Sequence, residues 1–147
     1  LTSIDLAPQN DEQLSEVLSK LGLQERVDLM VSDANDVEMD DQLDFAFIDG
    51  DHSYEGAMRD CNKWGKQVKT GGFVILHDMA NTRKHSVQWS DLAVLRKEII
   101  RSENNCLRLV EERGSMTVFE RTAVDWVDIG AATVELGENS YLSREMR

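Results

Sequence analysis

The sequence predicts an α/β fold in which a mostly parallel sheet is built around a βαβ unit. Two near-continuous apolar runs of strand length, 43–48 and 73–76, flank a segment with helical periodicity. Such runs are typical of strands that are buried on both faces of a parallel sheet. A right-handed crossover brings the carboxyl ends of the two strands to the same edge of that sheet.

The elements before this unit are predicted to be a strand, a helix and a second strand. Residues 1–6 and 27–31 are the strands, and Asn10 with Gln13 matches a capping box at the start of the helix. The apolar stripe of this helix consists of Leu14, Val17, Leu18 and Leu21. Gly22 is expected to end it, and an acidic loop precedes residue 43.

The central helix is predicted to pack one apolar face on the sheet. That face comprises Tyr54, Ala57, Cys61, Trp64 and Val68, which recur at three- and four-residue steps. We interpret Trp64 as a core residue and not as a platform on which a substrate stacks. A turn at Thr70-Gly71-Gly72 is expected to lead into the next strand.

A further helix and a hairpin follow. The helix is marked by Trp89, Leu92, Leu95 and Ile99. Residues 106–111 and 116–119, around the turn Arg113-Gly114, are predicted to form an antiparallel hairpin that closes the sheet. At 147 residues the chain fits one α/β domain, which we place at 1–121, followed by an extension at 122–147.

Composition restricts the partners of the chain. A formal net charge of −12 and a pI near 4.6 would repel nucleic-acid phosphates and anionic lipid headgroups, so small molecules, cations or basic partners are expected. No apolar run has transmembrane length, and the first ten residues lack the features of a signal peptide. These features, together with two cysteines at expected core positions, predict a cytoplasmic protein.

Polar side chains follow both central strands. Asp49, Asp51 and His52 come after the first strand, and His77 and Asp78 come after the second. Open α/β sheets bind ligands outside the carboxyl ends of their strands. We therefore expect these five residues to converge on one crevice.

Three segments resemble a known family. They are Ser3-Ile4-Asp5, the run Phe-Ile-Asp-Gly-Asp-His-Ser-Tyr-Glu-Gly at 47–56, and Gly-Gly-Phe-Val-Ile-Leu-His-Asp at 71–78. The pattern is similar to class I S-adenosylmethionine-dependent methyltransferases, in the branch of macrocin O-methyltransferase and cephalosporin-hydroxylase-like proteins. The resemblance implies a Rossmann-like three-layer sandwich that binds S-adenosylmethionine and methylates a hydroxyl of a small molecule.

The resemblance also implies a cofactor site. Asp5 stands where such proteins bind the ribose hydroxyls, and Asp33 with Ala34 stands at the position that contacts adenine. Asp49 and His52 are further cofactor-binding candidates. The alternative for Asp33 is that it caps a turn.

The members of the family that depend on a metal imply roles for the strand-end residues. Asp49 and Asp78 would share a divalent cation, Mg²⁺ or Mn²⁺, with His77 as a nitrogen ligand, although such carboxylates also arise as loop caps. His52 is the candidate general base, because imidazole titrates near neutrality, and Asp49 is the second candidate catalytic residue. His52 is alternatively the cap of the central helix. His85 lies in a loop at 80–88, the expected substrate lid.

In the resembling proteins a first strand, a glycine-rich loop and a helix hold the methionine part of the cofactor, and these would precede Leu1. A fragment, a part supplied from elsewhere, and a permuted order in which 133–137 is the first strand are the alternatives. A sheet without that strand is expected to expose apolar surface and to form homo-oligomers.

Two other functions stay open from the sequence. The first is a non-catalytic Rossmann-like remnant or interaction module that keeps the fold without binding the cofactor. The second is a metal-dependent hydrolase that uses the same Asp and His residues. Cofactor binding separates the methyltransferase from both.

Overall fold

The computed structural model describes residues 1–7, 10–40, 42–79, 90–102 and 106–130. The chain divides into two compact units, Leu1–Asp40 and Asp41–Arg147. The predicted lid at 80–88 with His85, the helix residue Trp89 and the segment 133–137 lie outside the described residues. No helix within the described ranges combines the length and the apolar character needed to cross a membrane.

The first unit pairs two short parallel strands. Its elements are β1 (Thr2–Asp5), α1 (Asp11–Lys20), a 3₁₀ helix at Gln24–Arg26 and β2 (Asp28–Val31). The register places Asp5 beside Val31, and the amide of Ser32 donates to the carbonyl of Asp5 over 2.9 Å. The carboxyl ends of β1 and β2 therefore lie at the same edge.

Helix α1 forms where the sequence predicts it, but two details differ. Asn10 is the N-cap residue, yet its side chain makes no capping hydrogen bond, so the predicted capping box is wrong. The stripe residues Leu14, Val17 and Leu21 are 43%, 49% and 65% exposed. A pair of four-residue strands offers too little apolar surface to bury them. Gly22 ends the helix in the left-handed region, at φ +67°, as expected.

The second unit is an α/β structure with one four-stranded sheet. Its elements are β3 (Leu43–Ile48), α2 (Tyr54–Gly65), β4 (Val68–Leu76), α3 (Ser90–Arg101), β5 (Leu107–Arg113) and β6 (Met116–Arg121). The strand order is β3-β4-β6-β5. β3 and β4 are parallel, whereas β6 is antiparallel to both β4 and β5. The βαβ unit and the hairpin are confirmed.

The core of this unit lies between one face of the sheet and the two helices. The sheet contributes Ala46, Val74, Leu76, Thr117 and Phe119, and the helices contribute Ala57, Cys61, Trp64, Leu92, Leu95 and Ile99. All of these side chains are buried. Trp64 is therefore a core residue, as predicted.

The opposite face of the sheet is exposed, so the prediction that both central strands are buried on both faces is wrong. Phe45, Phe47 and Phe73 are 46%, 51% and 41% exposed. The register places Phe45 beside Phe73, which makes one contiguous aromatic surface. The reason is that α2 and α3 both pack on the other face.

The predicted turn at Thr70-Gly71-Gly72 is a bulge inside β4. The register passes from Leu43 beside Val68 directly to Phe45 beside Phe73, so the extra residues of β4 bow out of the ladder. A Cβ on Gly72 would lie 2.5 Å from the backbone oxygen of Asp44, which is why glycine is required there.

Residues 122–130 are bonded to the rest of this unit. Asn62 on α2 accepts hydrogen bonds from the amide of Ile129 over 2.8 Å and from the indole of Trp126 over 3.3 Å. The guanidinium of the buried Arg121 donates to four backbone oxygens, those of Lys66, Val68, Ala123 and Val124. These bonds fix the chain after β6 against α2 and the start of β4.

Candidate functional site

The parallel pairing of β3 and β4 creates the candidate site. The ladder continues one step past the strands, because the amide of His77 donates to the carbonyl of Ile48 over 3.0 Å. Asp49 follows Ile48, and Asp78 follows His77. Both carboxylates therefore leave neighbouring strand ends at one edge of the sheet.

Four of the five residues predicted to converge do so. Nε2 of His52 lies 3.8 Å from a carboxylate oxygen of Asp49 and 3.8 Å from one of Asp78. Nδ1 of His77 lies closer, 3.2 Å from Oδ1 of Asp49 and 3.1 Å from Oδ2 of Asp78. Two imidazoles thus face the same pair of carboxylates, a cluster that we call the strand-end cluster.

The fifth residue, Asp51, has a structural role. Its Oδ1 accepts a hydrogen bond from the amide of Ser53 over 2.8 Å, and this bond lowers the pKa of the Asp51 carboxyl. A Cβ on Gly56 would lie 2.1 Å from Oδ2 of Asp51, so the carboxylate rests directly on that glycine. Asp51 shapes the turn that presents His52.

His52 is not the cap of α2. The N-cap residue is Ser53, whose hydroxyl accepts from the amide of Gly56 over 3.1 Å. The alternative interpretation of His52 as a helix cap is therefore wrong, and its imidazole faces Asp49 and Asp78 instead.

Asp78 has an unusual backbone conformation. Its φ is +56°, and it is the one non-glycine residue with a positive φ among those the structure describes. The left-handed region costs an ordinary L-residue about 1–2 kcal/mol, although aspartate tolerates it better than most. Strain of this kind persists where the surrounding structure imposes it, and it is concentrated at functional sites.

His77 has a second partner that sequence reasoning missed. Oγ of Ser115, in the turn between β5 and β6, lies 3.0 Å from Nε2 of His77. The sequence did place Ser115 in the turn of a predicted hairpin that closes the sheet, next to the strand that ends at residue 76. The missing information was the register, Leu76 beside Thr117, which carries the turn to the strand-end cluster.

The donor atoms suit a divalent cation. Asp49, His52 and Asp78 each offer an atom, and the three atoms lie within 4.8 Å of one another. Nδ1 of His77 is buried, and its contacts with the two carboxylates do not have hydrogen-bond geometry. Its spacings of 3.2 and 3.1 Å match the distance of about 3 Å between adjacent ligands around an ion with bonds near 2.1 Å.

The predicted nucleoside-binding residues lie together in the first unit. Asp5 is exposed at the end of β1, and its Oδ1 accepts from the amide of Ala7 over 3.2 Å. Oδ1 of Asp33 accepts from the amide and side chain of Asn35, over 2.8 and 3.0 Å. Asp33 thus makes the turn-capping bonds of its alternative interpretation, and Ala34 follows it, half-buried.

Comparisons with known proteins agree with this architecture. The model of a family described as "methyltransferase domain" matches residues 1–79. A solved structure from Corynebacterium glutamicum has a TM-score of 0.65 and 18% identity over 84% of this chain and 61% of that one. A protein from Clostridium thermocellum described as an rRNA methylase has a TM-score of 0.61 and 13% identity, over 82% and 74%.

A third structure is the O-methyltransferase TomG of Streptomyces achromogenes, which is involved in tomaymycin synthesis and was solved with S-adenosylmethionine. Its TM-score is 0.60 at 14% identity, over 84% of this chain and 62% of that one. The chain thus spans less than two thirds of the length of the first and third structures. These structures show that the chain has a Rossmann-like α/β fold. The family match covers more than half of the 147 residues, and the chain belongs to the methyltransferase domain family.

Proposed function

We propose that the chain acts in S-adenosylmethionine-dependent methylation of a hydroxyl on a small molecule, with help from a divalent metal. The observation that carries the proposal is the convergence of two imidazoles and two carboxylates at the carboxyl ends of β3 and β4. That edge is where α/β folds bind ligands. The net charge of −12 disfavours a nucleic-acid substrate, because its phosphates would be repelled. The same charge attracts a cationic sulfonium cofactor.

In the first unit, we assign Asp5 to the ribose hydroxyls and Asp33 with Ala34 to adenine. Within the described residues, one oxygen of Asp5 has a hydrogen-bond partner, so lone pairs remain to accept both ribose hydroxyls. Asp33 uses Oδ1 in its own turn. The contact with adenine would come from the Asp33 carboxylate and from the backbone of Ala34.

In the second unit, we assign His52 as the general base and Asp49 as the second catalytic residue. Both would also contact the cofactor, as the family resemblance implies. His52 accepts the proton of the acceptor hydroxyl as the oxygen forms a bond to the methyl carbon. When bound, S-adenosylmethionine would supply the methyl group, and the electron pair of its carbon–sulfur bond would leave with neutral S-adenosylhomocysteine. The carboxylates of Asp49 and Asp78, 3.8 Å from Nε2, attract the positive charge that His52 acquires.

Asp49, His77 and Asp78 would hold the metal. A bound divalent ion lowers the pKa of a hydroxyl and orients its oxygen. We prefer His77 to His52 as the nitrogen ligand, because Nδ1 of His77 lies 3.1–3.2 Å from the carboxylate oxygens, whereas Nε2 of His52 lies 3.8 Å away. An imidazole ligand favours Mn²⁺ over Mg²⁺.

Isothermal titration with S-adenosylhomocysteine, with and without Mn²⁺, tests the proposal. Asp5→Ala should weaken binding about tenfold or more, because hydrogen bonds to a charged group contribute about 1.5–3 kcal/mol. Asp28→Ala is the matched control, since it removes the same charge at the opposite end of a strand in the same unit. It should bind like the parent chain.

Equal binding by the Asp5→Ala and parent chains would contradict the assignment of Asp5. No binding by the parent chain would favour the non-catalytic module. Metal-dependent cleavage of an ester without cofactor binding would favour the hydrolase.

A further inference from the structure

We propose that Ser115 is a positioning residue of the strand-end cluster, which holds the ring of His77 in the orientation that directs Nδ1 toward the carboxylates of Asp49 and Asp78. The inference rests on the proposed function in so far as it treats His77 as a metal ligand. Its evidence is the 3.0 Å contact between Oγ of Ser115 and Nε2 of His77, on the side of the ring opposite the carboxylates.

The hairpin delivers Ser115 to this place. β5 and β6 are joined by the two-residue turn Gly114-Ser115, since Arg113 pairs with Met116. Gly114 has a φ of +62°, whereas Ser115 has no positive φ, which is the pattern of a type II′ turn. Because Leu76 pairs with Thr117 in antiparallel register, the turn lies just past the end of β4.

Contacts hold both the backbone and the ring of His77. Its backbone amide is bonded to Ile48 over 3.0 Å, and its ring lies 6.0 Å from that of Phe47, tilted by 54°. Within the described residues, the Ser115 hydroxyl is the hydrogen-bond partner of its Nε2. Rotation of the ring would break that bond and turn Nδ1 away from Asp49 and Asp78.

A hydroxyl suits this position because it both donates and accepts. In the neutral tautomer that carries its proton on Nδ1 of His77, Nε2 accepts from the Ser115 hydroxyl. A cation bound by Nδ1 requires a lone pair there, so the neutral ring carries its proton on Nε2 and donates to Ser115. The same hydroxyl serves both states after a rotation about its C–O bond.

The test uses ¹⁵N-histidine-labelled protein at one fixed pH, with His77→Gln to assign the His77 signals. In the metal-free parent we expect an Nε2 shift that indicates hydrogen bonding. Ser115→Ala should move the Nε2 shift to that of an unbonded nitrogen. It should also weaken Zn²⁺ binding about tenfold to a hundredfold, as is common when a partner of a metal-bound histidine is removed.

Ser115→Thr is the conservative variant and should restore both readouts. Urea unfolding followed by tryptophan fluorescence checks that each variant is folded. An unchanged Nε2 shift or an unchanged Zn²⁺ affinity in Ser115→Ala would overturn the proposal, as would equal behaviour of the Ala and Thr variants. The metal-free spectrum requires neither cofactor nor methyl transfer, so failure of the proposed function would be recognised separately.

Discussion

Two substitutions at Asp78 separate the strain of its backbone, at φ +56°, from the contribution of its carboxylate. Asp78→Gly and Asp78→Ala both remove the carboxylate, so they lose the same contact with His77. They differ in Cβ, which is unfavourable at a φ of +56°. We predict that the glycine variant is the more stable of the two, whereas both bind metal less well than the parent chain.

The size of the difference follows from two opposing terms. A Cβ in the left-handed region costs about 1–2 kcal/mol. Glycine loses about 0.4–1 kcal/mol through the greater freedom of its unfolded chain. The free energy of unfolding of Asp78→Gly should therefore exceed that of Asp78→Ala by about 1 kcal/mol.

Urea unfolding followed by tryptophan fluorescence measures this difference. Trp64 and Trp126 lie in the second unit, so their signal reports on the unit that contains Asp78. Asp78→Asn is the matched control, because asparagine also tolerates the left-handed region. Equal stability of the Gly and Ala variants would refute the account of strain at this position.

Three further predictions concern stability and association. Burial and, to a smaller extent, the hydrogen bond to Glu98 raise the pKa of Tyr54 from 10.0 to about 12. The protonated Tyr54 hydroxyl therefore stabilises the fold below pH 10, and this stabilisation is lost as the pH rises toward 12. Alkaline unfolding of the parent should therefore show a steeper loss of stability than that of Tyr54→Phe. Arg121→Met should cost about 2–4 kcal/mol in urea unfolding, because it leaves the buried carbonyl of Val68 and the partly buried carbonyl of Lys66 unpaired. Arg108→Met, at an exposed residue, should cost less than about 1 kcal/mol. Sedimentation should reveal self-association through the exposed aromatic face, which Phe47→Ser weakens; a monomer at every concentration would contradict this.

Periodicity predicted the elements because it depends on local sequence. The helical steps at Cys61 and Trp64 predict α2, and the apolar run 43–48 predicts β3 with the observed bounds. The placement of Val68 on the same helical face is wrong, because α2 ends at Gly65 and Val68 begins β4. The burial of β3 could not be predicted in this way. An apolar run does not indicate how many faces are covered, and Phe47 is exposed because both helices pack on the other face.

The candidate site was partly predictable, because the predicted strands and their connection determine which strand ends lie side by side. Parallel strands and a crossover suffice to bring Asp49, His77 and Asp78 together. Register and backbone conformation do not follow from such a pattern, so Ser115 and the positive φ of Asp78 were not predicted. Nor does sequence spacing distinguish Asp51, which caps a turn, from its neighbour His52.

Mapping of S-adenosylhomocysteine binding by ¹H–¹⁵N chemical shifts tests the central claim most directly. The account predicts the largest changes at the carboxyl ends of the strands, at residues 5–7 and 32–35 after β1 and β2 and at residues 49–53 after β3. The amides at the opposite ends, such as Asp28 and Leu43, should change little. No saturable change, or changes concentrated at those opposite ends, would contradict the proposed cofactor site.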